Sequence, residues 1–312
     1  MSSGGSTALK LNNILIFGLK LLVSAGSLYI VFSKNDMHQV GVTLTRIGPA
    51  AFLTASAMYI VSLLGATFRW KLLLPERFTL RRLFSLYMIG SFFSSFLPGV
   101  IGGDAVKAYY LNKDAKKLSL TLASIFMDRY LGYVALIGLG MLAFPFSLGL
   151  ISGSPYKWAM PAIFGSFVIG SFLFFGLRLG KRFRVVSEFY EYFALLKDRK
   201  DVIVKAVLIS VFIQIMSFGA VSLLAFAMGE HIPVKMVFLF LPIVSTITTL
   251  PISISGIGVR ESVFVLLFGL IGVTSEAATA LSLAWFFSSF VGSLPGLAFY
   301  IRHANKPEVK NS

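Results

Sequence analysis

The sequence predicts an all-α polytopic membrane protein, and three observations carry that reading. The 312 residues are 56% hydrophobic, above the ~45–50% of ordinary soluble domains. Apolar runs of about 20 residues recur along the chain, the length a helix needs to cross a ~30 Å hydrocarbon core. The charges gather between those runs, with 28 Lys and Arg against 13 Asp and Glu. The net charge of +15 fits Lys/Arg-rich cytoplasmic loops facing anionic headgroups. No basic stretch is long enough to form a nucleic-acid-reading domain, so nucleic acid is not expected as a partner. With no cysteine and three scattered histidines, His38, His231 and His303, neither a metal site nor a cofactor is expected.

The chain reads as one transmembrane domain over 1–312. Its polar start, "MSSGGSTALKLNN", leads into a full-length apolar segment with no small-residue cleavage site, which predicts a retained helix. Six full spans are expected near 13–32, 49–67, 118–144, 158–177, 202–228 and 276–300. Two further segments, 83–111 and 235–272, are long and apolar but interrupted. Between spans, Met37, Val40, Leu44 and Ile47 share one face, as do Val186, Phe189, Tyr190 and Phe193. Both patterns predict helices lying on the membrane.

Loop charge predicts what the interrupted segments do. Loops 68–82, 103–117 and 178–205 carry five, four and eight Lys/Arg, whereas 33–48, 145–157, 229–235 and 273–275 carry two, one, one and none. If 83–102 crossed the bilayer, twelve of these positive charges would fall outside, against the positive-inside rule. Entry and return on the same face keeps the rich loops and both termini cytoplasmic. Three spans then separate the two segments, so the second enters from the external face. The expected location is the plasma (inner cell) membrane.

The interrupted segments also resemble each other. "LPGVIGGDAVK" (97–107) and "LPISISGIGVR" (250–260) align without gaps, sharing Leu, Pro, Ile, Gly and Val and ending on Lys against Arg. Broken helices in an inverted repeat mark transporters, whose sites lie near the midplane. Pro98 and Pro251 interrupt the helix, and Gly102, Gly103, Gly256 and Gly258 permit a tight reversal and close approach. A turn leading into a helix offers free N–H groups to an anion, and Lys107 and Arg260 add full charge. Lys107 either serves that anion or snorkels to the interface. Asp104 and Glu261 either belong to the site or complement the helix starts.

An ionisable residue inside an apolar stretch, such as Arg260, is by default a functional candidate. Arg129 adjoins Asp128 in "IFMDRYLGY". Neighbouring side chains point apart on a helix, so at least one of them needs another partner, and an anionic headgroup suits Arg129. Gln214 is expected to bond between helices, Lys20 to snorkel, and Trp70, Trp158 and Tyr300 to sit in interfacial belts. Ser94, Ser95, Ser253 and Ser255 either pack helices closely or donate to a headgroup.

The pairing of "FLPGVIGGDAVKAYYL" with "LPISISGIGVRES" resembles the transmembrane region of lysylphosphatidylglycerol synthases and related stand-alone, flippase-like membrane proteins. "DRYLGY" after the first segment fits the same pattern, and the likeness covers roughly residues 10–300. Lys107 stands where the family usually has arginine, keeping charge but losing a bidentate fork. "PISISG" lacks the glycine-rich start often seen in the second motif. The resemblance implies a protein that moves or presents lipids. Only twelve residues follow Tyr300, so a stand-alone member without the soluble aminoacyltransferase domain, and without that enzyme activity, is expected.

The expected function is a lipid translocase. Gly102, Gly103, Asp104 and Lys107 from one hairpin, with Gly256, Gly258, Arg260 and Glu261 from the other and Arg129 between, would hold an anionic headgroup. Phosphatidylglycerol, an aminoacyl derivative and a polyprenyl-phosphate-linked sugar are all candidates. One alternative is an intramembrane enzyme acting on a lipid phosphate, with Asp104 or Glu261 as base. The other is a non-transporting partner of a lipid-modifying enzyme.

Overall fold

A computed structural model of the chain describes residues 18, 21–33, 35–74, 78–96, 101–115, 118–178, 184–253 and 255–304. Among these the secondary structure is helical, with no strand. The protein is all-α, as expected. Lys20, Pro98 and Gly99, and most of the first predicted span's N-terminal half, lie outside the described residues.

Among the described residues, five helices or helix runs are long and apolar enough to cross a membrane. These are α3 (Gly48–Leu73), α6 (Leu118–Ile151), Pro155–Gly176, α9 (Lys200–Ala227), and Ser275–Arg302. Pro155–Gly176 comprises a 3-10 turn, α7 (Ala159–Ser171) and a π-helical end; Ser275–Arg302 joins α12 (Ser275–Ser293) to α13 (Pro295–Ala304) at Pro295. A shorter apolar helix, α1 (Leu21–Ser33), covers the described part of the first predicted span.

The two amphipathic stretches form α2 (Met37–Arg46) and α8 (Arg184–Lys197). Asp36 caps α2 by accepting from His38 N–H at 2.9 Å. α2 buries Val40, and α8 buries Phe189, Tyr190, Tyr192 and Leu196. The Tyr192 hydroxyl ties α8 to the end of α3 by donating to Leu73 O at 2.5 Å.

The interrupted segments are helix pairs: α4 (Leu80–Ser94) with α5 (Ile101–Ala115), and α10 (Val234–Thr249) with α11 (Val259–Gly269). These helices have 15, 15, 16 and 11 residues. At 1.5 Å per residue they reach about 16–24 Å, short of a ~30 Å core. α4 starts at Thr79, whose side chain accepts from Arg82 N–H at 3.3 Å, and buries Leu83, Leu86 and Ile89 along one stripe.

The 34 residues of α6 run past both pairs. Near its start, Ser124 accepts from the Trp70 indole of α3 at 3.2 Å, Asp128 from the Tyr87 hydroxyl of α4, and Arg129 meets Asp104 of α5. One turn on, Tyr133 OH lies 2.5 Å from Thr249 Oγ1, where α10 ends. Gly140 fits against Pro242 in the middle of α10, and Ser147 donates to Lys235 O near its start at 3.3 Å. The first pair therefore lies along the early part of α6 and the second along the later part. The turn of the second pair touches the end of α4, where Ser255 Oγ donates to Ser94 O at 3.1 Å.

Candidate functional site: a cationic cavity between the helix pairs

Close backbone approach holds the first pair together. A Cβ at Gly103 would overlap the Gly90 carbonyl and the Ser94 hydroxyl, so only glycine lets α4 and α5 pack this closely. The second pair uses its glycines differently. Ser255, Gly256 and Gly258 have φ of 51°, 76° and 82°, left-handed values that glycine adopts without steric cost. The Gly258 N–H donates to Glu261 Oε2 at 2.7 Å, satisfying one of the free donors at the start of α11.

The four glycines were expected to permit a tight reversal and a close approach, and Gly103 provides the close approach. Gly256 and Gly258 provide the reversal, whereas Gly102 and Gly103 lie in the first turn of α5. The two acids occupy helix starts, as one of the two expectations had it.

Each acid also holds cations. Arg129 binds Asp104 in bidentate fashion through one edge of its guanidinium, Nε to Oδ2 at 2.8 Å and Nη2 to Oδ1 at 3.1 Å. Lys107 Nζ pairs with Asp104 Oδ1 at 2.8 Å. Only 2% exposed, Lys107 sits over the Tyr87 ring at 4.1 Å and the Trp70 ring at 5.3 Å. It is a buried cation–π residue rather than a snorkelling one. Arg260, 8% exposed, binds Glu261 Oε1 at 2.7 Å through Nη2 and Ser282 Oγ at 3.1 Å through Nε, with its guanidinium 4.7 Å from the Phe286 ring. Ser282 also donates to Glu261 Oε1 at 2.9 Å.

A fourth cation was not expected. Arg69, read as part of a loop, is buried inside α3. It donates to Asp128 at 2.7 Å and to Ser210 at 2.8 Å, and Tyr87 takes the other Asp128 oxygen. Asp128 and Arg129 thus point apart and each has its own partner. Trp70 is fully buried between α3, α4 and α6, which corrects its placement in an interfacial belt. Tyr300 packs its ring on Phe93, whereas Trp158 is exposed.

These groups surround a cavity of about 450 Å³, within the ~300–1,000 Å³ usual for small-molecule sites. Of the nine residues singled out from the sequence, Lys107, Arg129 and Arg260 line it. Gly102, Gly103, Asp104, Gly256, Gly258 and Glu261 do not. The glycines shape the hairpins and the acids hold the cations from behind. Ser94, Ser255 and Gln214 also reach the wall, and Gln214 donates to Gly132 O at 3.4 Å, an interhelical bond as expected. Ser253 is buried away from the wall and Ser95 does not line it. Arg69, Tyr59, Tyr87 and Tyr133 are wall residues that sequence reasoning missed.

The cations keep donors in reserve. Nη1 of Arg129 and Nη1 of Arg260 make no hydrogen bond among the described residues. The Arg129 side chain is 41% exposed although it sits amid the bundle, because it opens into the cavity. Guanidinium groups facing a cavity inside a helix bundle are placed to meet an anion.

Fold and site define an integral membrane protein with a cation-lined cavity between two short helix pairs. The chain belongs to the family described as the lysylphosphatidylglycerol synthase TM region, whose model matches residues 17–296. No curated protein matches it. Membership ties the protein to membrane lipids.

Proposed function

We propose that the protein is a lipid translocase that takes an anionic lipid headgroup into this cavity and passes it between leaflets. The convergence of Lys107, Arg129 and Arg260 from three separate elements on one cavity carries the reading. A cation inside a bilayer costs ~2.5–3.5 kcal/mol or more, and three of them facing one space are best repaid by an anionic ligand. The two helix pairs are re-entrant hairpins of an inverted repeat, over 83–111 and 235–272. Their short length, their contacts on different parts of α6 and the contact of Ser255 with the end of α4 support this. Rocking of one hairpin against the other would open the cavity to each face in turn. Both termini are cytoplasmic, and the location is the plasma membrane.

The test is mass spectrometry of lipids co-purified in mild detergent, paired with transfer of a fluorescent anionic lipid in proteoliposomes. Wild type is expected to enrich one anionic lipid class and to move it. Arg129→Ala/Arg260→Ala should lose both properties while eluting as a folded protein. Bulk-membrane lipid in both samples would show that the cations are structural and would favour a scaffold for a lipid-modifying enzyme.

A further inference from the structure

Resting on that reading, we infer that the cavity selects a monoanionic phosphodiester headgroup that carries hydroxyls and no amine. The charges on and behind its wall set the valence. Arg69, Lys107, Arg129 and Arg260 line the cavity, and no carboxylate among the described residues does. Behind them stand three carboxylates: Asp128 against Arg69, Asp104 shared by Lys107 and Arg129, and Glu261 against Arg260. Four cations against three anions leave one positive charge unmatched. That excess belongs to the Lys107–Asp104–Arg129 cluster, where one carboxylate serves two cations.

In a site of low dielectric an unmatched charge is costly, and one negative charge on the ligand cancels it. A diphosphate or a phosphomonoester dianion would overshoot and leave a buried negative charge of its own.

The same wall disfavours amines. An ammonium entering this space meets four cations and no free carboxylate. Two aromatic faces of the wall are already taken, since Lys107 covers Tyr87 and Arg260 covers Phe286, so an ammonium is left with the rings of Tyr59, Tyr133 and Trp285 in a space of net positive charge. An aminoacyl ester or an ethanolamine headgroup is therefore repelled where it should be held. Hydroxyls fare better. Ser94, Ser217, Ser245 and Ser289 reach the cavity, and their side chains make no hydrogen bond among the described residues. Each can both donate and accept, which suits a glycerol or another polyol beside the phosphodiester.

The experiment measures competition binding to the full-length protein in nanodiscs. Its probes are phosphatidylglycerol, lysyl-phosphatidylglycerol, phosphatidylethanolamine, phosphatidic acid under alkaline conditions where it is a dianion, and water-soluble glycerophosphoglycerol. Phosphatidylglycerol is expected to bind at least about tenfold tighter than the other three lipids, a difference of ~1.4 kcal/mol. Gln214→Glu, which places a carboxylate on the wall at nearly constant shape, should erase or reverse the preference over lysyl-phosphatidylglycerol. Glycerophosphoglycerol binding as tightly as the lipid supports the same headgroup chemistry with a soluble source.

If lysyl-phosphatidylglycerol or the dianion binds as tightly as phosphatidylglycerol, and loses binding in Arg129→Ala, the selectivity is overturned while the lipid-handling reading stands. Binding that ignores Arg129→Ala for every probe overturns both.

Discussion

The two hairpins present matching cations but anchor them in different ways. In the first, Asp104 divides its carboxylate between Lys107 of its own helix and Arg129 of α6, while Tyr87 ties α4 to Asp128, again on α6. In the second, Glu261 serves its immediate neighbour Arg260 and the Gly258 N–H of its own turn, with one hydroxyl from α12. The first hairpin is thus clamped electrostatically to a long helix, whereas the second carries a largely self-contained pair. Two similar sequence motifs have reached the same placement of charge by different routes. The difference predicts that the surplus charge, and so the first contact with an anion, lies on the side of the first hairpin and α6.

A test of the proposed inverted arrangement has the largest expected effect, since labelling is all-or-none. The chain contains no cysteine, so single cysteines report cleanly. Lys113→Cys near the base of the first hairpin and His231→Cys near the base of the second both replace exposed residues. An impermeant maleimide applied to intact cells should label His231→Cys and spare Lys113→Cys until the membrane is opened. Labelling of both from outside would place the hairpins on one face and end the comparison.

The anchors differ enough to be separated by stability. Asp128→Asn leaves Arg69 buried beside an uncharged partner, with one oxygen left to serve either Arg69 or Tyr87, and so loosens a tie between α3, α4 and α6. Breaking a buried ion pair this way costs about 3–5 kcal/mol. Glu261→Gln keeps one acceptor oxygen, which can serve the Gly258 N–H or the Arg260 and Ser282 donors but not both, and the contacts it disturbs are mostly within its own turn. Its loss should be nearer that of a charged hydrogen bond, about 1.5–3 kcal/mol. Thermal unfolding of the detergent-solubilised protein should rank Asp128→Asn well below Glu261→Gln, and the reverse order would show that the second hairpin is the more dependent on its acid.

Much of this was legible in the sequence, for a physical reason. Lys107, Arg129 and Arg260 interrupt apolar runs, and a charge is conspicuous where it is expensive. The broken segments announced themselves through proline, glycine and the shared eleven-residue pattern. Arg69 escaped because it lies near the end of a span beside Lys71, where an arginine is ordinarily a loop residue. Trp70 was misplaced for the same reason, as interfacial tryptophans also occur at span ends. The partners of the acids were hidden because Asp104 and Arg129 are 25 residues apart and only the packing of α5 on α6 joins them. The serines and tyrosines of the wall are no different in pattern from residues that pack helices.

The glycines give the smallest effects and the sharpest contrast between the hairpins. At Gly103 the backbone is helical, so an added methyl is no conformational problem; it collides with the Gly90 carbonyl and Ser94 of the facing helix. Gly103→Ala must push α4 and α5 apart, an overpacking cost of about 1–3 kcal/mol, and the shift would carry Lys107 with it. At Gly256 the nearest neighbour to such a methyl is Thr248 Cβ at 3.2 Å, a tight contact but a modest one, and the burden is the left-handed φ of 76°. Gly256→Ala should therefore cost about 1–2 kcal/mol from backbone strain and leave the helix spacing intact. The two costs overlap, so stability alone does not distinguish them, but binding does. Gly103→Ala should weaken anionic-lipid binding by displacing Lys107, whereas Gly256→Ala, once folded, should bind as wild type. Equal binding losses at the two positions would mean that both glycines act through the same reversal, as the aligned motifs alone suggest.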